Sequence, residues 1–378
     1  MSKRADLHPF GHGGDLISAA EAYGLEAGQI IDFSANINPL GPPPGLKEYL
    51  MEHLTAITTY PDPACRDLIA VIKECFQPNH TVIAGNGAGE LIYDLMRSLP
   101  PGPVLLPAPS FTLYAKAAQA AGRPVIYHYL RREDDFRLQL DCFCQEIREK
   151  RPALVMICNP NNPTGTNLTR LEILEISKVC AQSRAYLIID EAFLEFCPEW
   201  QQRTMLNSAP ENVLVLCSLT KMYAIAGLRL GFLTVPAHLK ENIFNSKHPW
   251  NVNALAQLAG QYVLRQREYV KQTVAYVSRQ AAELYLAIKK IPGLNPFWPT
   301  ANYLFLETKK FSSLELQAKL MQTKILIRDC GNYPGLNERY VRVAVRNVAD
   351  NQRLIAALTA VCGATKLTNS SDINFQES

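Results

Sequence analysis

The apolar residues of this chain gather into short unbroken runs separated by stretches of helical periodicity. Runs at 82–84, 104–106, 125–127, 154–158, 186–189, 213–216 and 232–235 show almost no polar alternation. Strands of that kind are buried on both faces. Between most of them apolar positions recur three and four apart, as in Leu91, Ile92, Leu95 and Met96. The alternation predicts an α/β fold, a mostly parallel central sheet with helices on both faces.

The pattern changes near residue 251. Residues 251–291 read as a long helical region interrupted near Gln266 and Arg267. Strands follow at 303–306, 325–328 and 340–345, then a helix at 350–361, which together predict a smaller α+β domain. Ahead of the first run lie a short helix at 16–23 and the stiff segment Gly41-Pro42-Pro43-Pro44-Gly45. The predicted division is an N-terminal arm at 1–45 joining the small domain, a large domain at 46–250, a small domain at 251–363 and a disordered tail at 364–378, rich in Thr, Asn and Ser.

Composition narrows the function. A net charge of +3 over 378 residues supplies no basic face for nucleic acid or a membrane surface. The ten cysteines are scattered, with only Cys142 and Cys144 close together. That favours reduced thiols over a zinc site or a disulfide framework. No apolar stretch follows Met1 as in a signal peptide, and no run is long enough to span a bilayer. The expectation is a cytoplasmic protein without a metal.

In sheets of this type ligands sit beyond the carboxyl ends of the strands, so the residues that follow each run are the candidates. Lys221 comes just after the run ending at Cys217. An ammonium there is costly to desolvate unless it has a partner or a reaction, and one such reaction is a Schiff base with an aldehyde. Pyridoxal phosphate (PLP) is the expected aldehyde. Gly85-Asn86-Gly87-Ala88-Gly89-Glu90 opens a helix whose amides and dipole suit an anion, though alone such a segment is more often a plain tight turn. Asn159-Pro160-Asn161-Asn162-Pro163-Thr164-Gly165 is a rigid loop that aims amide side chains. Asp190 ends another strand and suits a protonated ring nitrogen, or equally a cap. Ser218 and Arg229 suit a phosphate. Each signal is modest; their order, each after a strand of one sheet, makes coincidence improbable.

The N-P-x-N-P-T-G, D-E-A and S-x-x-K…G-x-R-x-G motifs resemble those of fold-type I PLP enzymes of the class I/II aminotransferase superfamily, over roughly residues 8–362. The resemblance implies that Lys221 carries PLP, Asp190 pairs with its pyridinium nitrogen and Asn162 bonds its ring hydroxyl. It implies a phosphate site of Ser218, Arg229, Ala88 and Gly89, with Phe111 stacked on the ring. It also implies a homodimer in which Tyr60 reaches the partner's phosphate. Two groups within the superfamily share these motifs, the threonine-phosphate decarboxylases of cobalamin biosynthesis and the histidinol-phosphate aminotransferases. His12-Gly13-Gly14, the segment from Phe33 to Gly41, and Ile325 to Gly335 resemble the decarboxylases. So does Phe193, where the aminotransferases usually carry a tyrosine. By that resemblance Arg342 and Asn162 take a substrate carboxylate, and Arg328, His12, Gly13 and Asn36 take a substrate phosphate. Arg346 is left as a surface ion pair. The motifs define the cofactor better than the reaction. Only a bond held perpendicular to the PLP plane breaks, so decarboxylation and transamination differ by orientation alone.

Overall fold

Seven strands form one sheet: β2 (Thr81–Gly85), β3 (Val104–Ala108), β4 (Val125–Tyr129), β5 (Leu154–Cys158), β6 (Tyr186–Asp190), β7 (Val213–Ser218) and β8 (Gly231–Val235), in the order β2-β8-β7-β6-β5-β3-β4. The computed structural model describes residues 13–363. The unbroken apolar runs at β5 and β7 are buried at every position, as two-faced burial requires. Only β8 is antiparallel to its neighbours, β2 and β7, so the other six strands share a direction. An apolar core lies on each face, one around Leu187, Val215 and Phe232 and the other around Leu106, Met156 and Leu214.

The helices that cover the sheet start where the chemistry allows. The helix Arg170–Gln182 opens on a capping box in which Thr169 accepts from the Glu172 amide and Glu172 accepts from the Thr169 amide. The predicted interruption near Gln266 is present, with a helix at Ala254–Val263 and a second at Arg267–Lys289.

A second sheet, β12-β13-β10-β9, is antiparallel and four-stranded: β9 (Leu294–Pro296), β10 (Tyr303–Thr308), β12 (Arg328–Asp329) and β13 (Tyr340–Ala344). Its own apolar core includes Phe33, Leu304, Leu320 and Val343. The predicted single strand at 325–328 is divided. Ile325–Leu326 is β11 and pairs in parallel with β1 (Ile31–Asp32), while Arg328 and Asp329 pair with β13. Periodicity shows an extended chain but not a change of partner at Ile327. Through β1 the arm is added to the small sheet's side, and the Ala344 amide donates to Phe33 O at 2.8 Å. Arg346 is more than a surface ion pair. It bonds Asp350 and also donates to Asp32 O at 3.0 Å, which ties the arm down. Among the described residues no helix is long and apolar enough to cross a membrane. All ten cysteines are free.

Candidate active site

Because six strands of the large sheet run one way, their carboxyl ends share an edge. Residues following β3, β5, β6 and β7, with the start of the helix Gly87–Ser98, line a cavity of about 640 Å³ there. The arm and the small sheet close the same cavity with Gly13, Asn36, Arg328 and Arg342.

Lys221 lies on the short helix Leu219–Met222 directly after β7. Its Nζ donates to Thr220 Oγ1 at 2.8 Å, and that hydroxyl is also 2.8 Å from Ser218 Oγ. Burial, and then the positive charge of Arg229, push the ammonium down to about 8, against the pull of Asp190. A lysine so placed is partly neutral near pH 7, the form that attacks an aldehyde. Asp190 ends β6 and is almost wholly buried. Its Oδ2 accepts from Tyr114 OH at 2.7 Å and its Oδ1 from the Ala192 amide at 2.9 Å. Burial raises its carboxyl above the ordinary value, while these donors and Lys221 favour the ionised form. A ring cation would favour it further.

The end suited to a phosphate is built by close approach. Gly87 has φ +80°, and a Cβ there would come within 2.6 Å of Arg229 Nη2. A Cβ at Gly231 would lie 2.8 Å from the Ala88 amide nitrogen. The glycines thus leave the helix start, with Ala88 and Gly89, open to the cavity beside Ser218 and Arg229. Phe111 lines the same cavity and meets Tyr114 edge-on at 5.5 Å.

At the other end sit two buried guanidinium groups. Arg342, on β13, donates through Nη1 to Asn162 Oδ1 and through Nη2 to Ser34 O at 2.6 Å. Its Nε is buried without a partner. Arg328, opposite Arg342 in the β12–β13 pairing, is 1% exposed, lies 5.3 Å over the Tyr333 ring and donates to Asn332 Oδ1 at 2.9 Å. Asn36 is buried on the cavity wall, and neither of its side-chain amide atoms has a partner. Buried polar atoms left this way await a polar ligand. Gly13 packs against Ser34 so closely that a Cβ would fall 2.2 Å from Ser34 O, which explains a glycine at that position of the arm.

The cavity therefore gathers Lys221, Ala88, Gly89, Phe111, Asn162, Asp190, Ser218, Arg229, Gly13, Asn36, Arg328 and Arg342. His12 lies outside the described residues. Tyr60 does not line the cavity; it is 80% exposed and stacked on Trp250 at 4.7 Å. Sequence reasoning missed Tyr114, Thr220, Tyr333, Asp32 and Ser34, all of which line the cavity. Thr220 and Tyr333 fall inside quoted motifs and were within reach. Tyr114 lies in the first turn of the helix Leu113–Ala120, and nothing local marks it as the donor to Asp190. Asn38 was also missed. Its side-chain amide donates to Met222 O at 2.7 Å, and its backbone amide donates to Lys221 O at 3.1 Å, fastening the arm to the lysine segment.

Comparison with known proteins bears on the chain as a whole. The family described as aminotransferase class I and II matches residues 28–358. The threonine-phosphate decarboxylase of Salmonella typhimurium is 37% identical over 93% of this chain and 96% of that enzyme. A crystal structure of L-threonine-O-3-phosphate decarboxylase from Porphyromonas gingivalis aligns with a TM-score of 0.78 at 25% identity, over 88% of this chain and 99% of that one. A histidinol-phosphate aminotransferase from Clostridium acetobutylicum aligns with a TM-score of 0.82 at 26% identity, over 88% and 98%.

Proposed function

We propose, from the premise that the chain belongs to the class I and II aminotransferase family, that it is a PLP-dependent decarboxylase. The proposed reaction converts L-threonine O-3-phosphate to (R)-1-amino-2-propanol O-2-phosphate and CO2, a step of cobalamin biosynthesis. One observation carries this reading: two buried guanidinium groups, Arg328 and Arg342, share a cavity with Lys221. A phosphorylated amino acid brings a carboxylate and a phosphate at once, and two anion clamps in one cavity suit that pair. The 37% identity to a threonine-phosphate decarboxylase supports it.

PLP supplies an electron sink at the α-carbon of an amino acid. The residues present fit it. Asp190 is buried and already accepts two hydrogen bonds, which leaves it suited to a ring cation. Gly87 and Gly231 leave room for a phosphate beside Ser218 and Arg229, and Asn162 faces the same space. In this reading Arg342 and Asn162 hold the substrate carboxylate. Arg328, Asn36, Gly13 and His12 hold its phosphate. With PLP and substrate bound, the two clamps would orient the carboxylate so that its bond to Cα, rather than the Cα–H bond, is the one that breaks, releasing CO2. Lys221 Nζ would then supply the proton that takes the place of CO2 at the α-carbon. The small sheet and arm exclude water as they close the cavity. Tyr60, exposed and away from its own cavity, serves the cavity of the other subunit of a homodimer.

Incubation of the PLP-loaded protein with phosphothreonine tests the reading by release of CO2. Transamination of histidinol phosphate with 2-oxoglutarate, without CO2 from phosphothreonine, overturns it in favour of the aminotransferase. Lys221→Ala removes the absorption band of lysine-bound PLP; an unchanged band refutes the role given to that lysine.

A further inference from the structure

A second cavity, of about 770 Å³, lies between the C-terminal end of the helix Arg66–Phe76, the segment following β6 and the helix Arg267–Lys289. No residue lines both this cavity and the one holding Lys221. Its size is that of a small-molecule site.

The lining is chemically lopsided. Phe76 and Trp200 form an aromatic pair with centroids 5.9 Å apart, and Tyr223 adds a third ring. Tyr223 OH donates to Glu195 Oε1 at 3.4 Å. Two anions and two cations lie exposed in the lining, Glu74 and Glu199 against Arg267 and Lys271, and so balance one another. Glu74 also faces Arg265 at 4.0 Å, and Lys271 faces Glu268 at 3.7 Å. Among the described residues no cation pairs with Glu195. Burial, opposed by the Tyr223 bond and assisted by the charge of Glu191, raises its carboxyl to about 7. A carboxylate among three aromatic rings, without a counter-charge, is complementary to an organic cation. The cation would pair with the carboxylate and rest on the ring faces.

We propose that this cavity is a second ligand site, which takes a small organic cation with an apolar body and binds it through Glu195, Tyr223, Phe76 and Trp200. Val270 and Val274 of the long helix that leads into the small sheet also line the cavity, so the ligand touches that helix as well as the segment that leaves β6. It therefore holds the two together without entering the reaction site.

The test uses PLP-loaded protein and phenethyltrimethylammonium. That probe carries a charge and a ring but has no N–H with which to condense with an aldehyde. Calorimetric titration is expected to show one saturable site per chain, and the probe raises the thermal midpoint. Glu195→Gln weakens binding at least tenfold, as does Trp200→Ala, a second variant that guards against misfolding of the first. Phenethyl alcohol, the uncharged counterpart, binds at least tenfold more weakly than the cation. Saturating phosphothreonine leaves the probe in place. Absence of saturable binding, unchanged affinity in both variants, or displacement by phosphothreonine would each overturn the proposal.

Discussion

Arg342→Lys keeps the positive charge on β13 and removes the planar fork. In the native chain two of the fork's nitrogens are committed, to Asn162 and to Ser34 O, and Nε is buried and unpartnered. A lysine ammonium cannot hold both partners and also face a carboxylate in one plane. A hydrogen bond to a charged group contributes about 1.5–3 kcal/mol. Loss of one substrate-facing bond therefore lowers kcat/KM for phosphothreonine by about 10- to 100-fold, at about 1.4 kcal/mol per tenfold. The assay is initial CO2 release at phosphothreonine concentrations well below KM, with the absorption of lysine-bound PLP as a check that the cofactor site is intact. A kcat/KM within about threefold of the native value, with that absorption unchanged, would refute the assignment of Arg342 to the carboxylate.

Three further outcomes follow from the charges and the close contacts. The cofactor-free protein should take up PLP about tenfold faster per pH unit up to about pH 8 and then level off, because Lys221 is depressed to about 8 and reacts as the neutral amine; stopped-flow absorbance that still climbs tenfold per unit from pH 9 to 10 contradicts this. Glu191 is buried, accepts from Thr204 Oγ1 at 2.6 Å and from the Met205 amide at 2.8 Å, and is raised to about 7. The folded state thus holds its proton more tightly than the unfolded state, a contribution complete below about pH 4.5 and lost as pH rises through about 7, worth at most roughly 3 kcal/mol. Glu191→Gln should flatten urea-unfolding stability between pH 5 and 8, and an unchanged slope assigns the loss elsewhere. Gly87→Ala puts a side chain at φ +80° and 2.6 Å from Arg229 Nη2; the apparent Kd for PLP should rise about tenfold or more, given about 1–2 kcal/mol for a left-handed residue, and an unaltered titration rules out the glycine as part of the phosphate end.

The large sheet was legible because its strands are buried on both faces. Leu154–Cys158 and residues 213–217 carry only apolar side chains, and the polar residues that end or follow the strands stand out against them. The lysine, the aspartate, the rigid Asn-Pro loop and the glycine-opened helix were visible for that reason, as was the expectation of PLP. Lone arginines gave no such contrast. Arg328, Arg342 and Arg346 look alike in the sequence, yet the first two line the cavity and the third clasps Asp32 O and Asp350.

By itself the amino-acid order determined the parallel α/β sheet, the strand-end residues and the cofactor chemistry they suit, because periodicity and strand burial are local properties. Tertiary structure decided what depends on contacts far apart in the chain: the change of partner at Ile327, the Tyr114 bond to Asp190, the arm held against Lys221 by Asn38, and the pairing of Arg328 with Arg342. It also decided that Glu195, flanked by the apolar Leu194 and Phe196, lines an aromatic cavity and forms no ion pair among the described residues. Burial, desolvation and the absence of a partner belong to the packed molecule, and no local spacing encodes them.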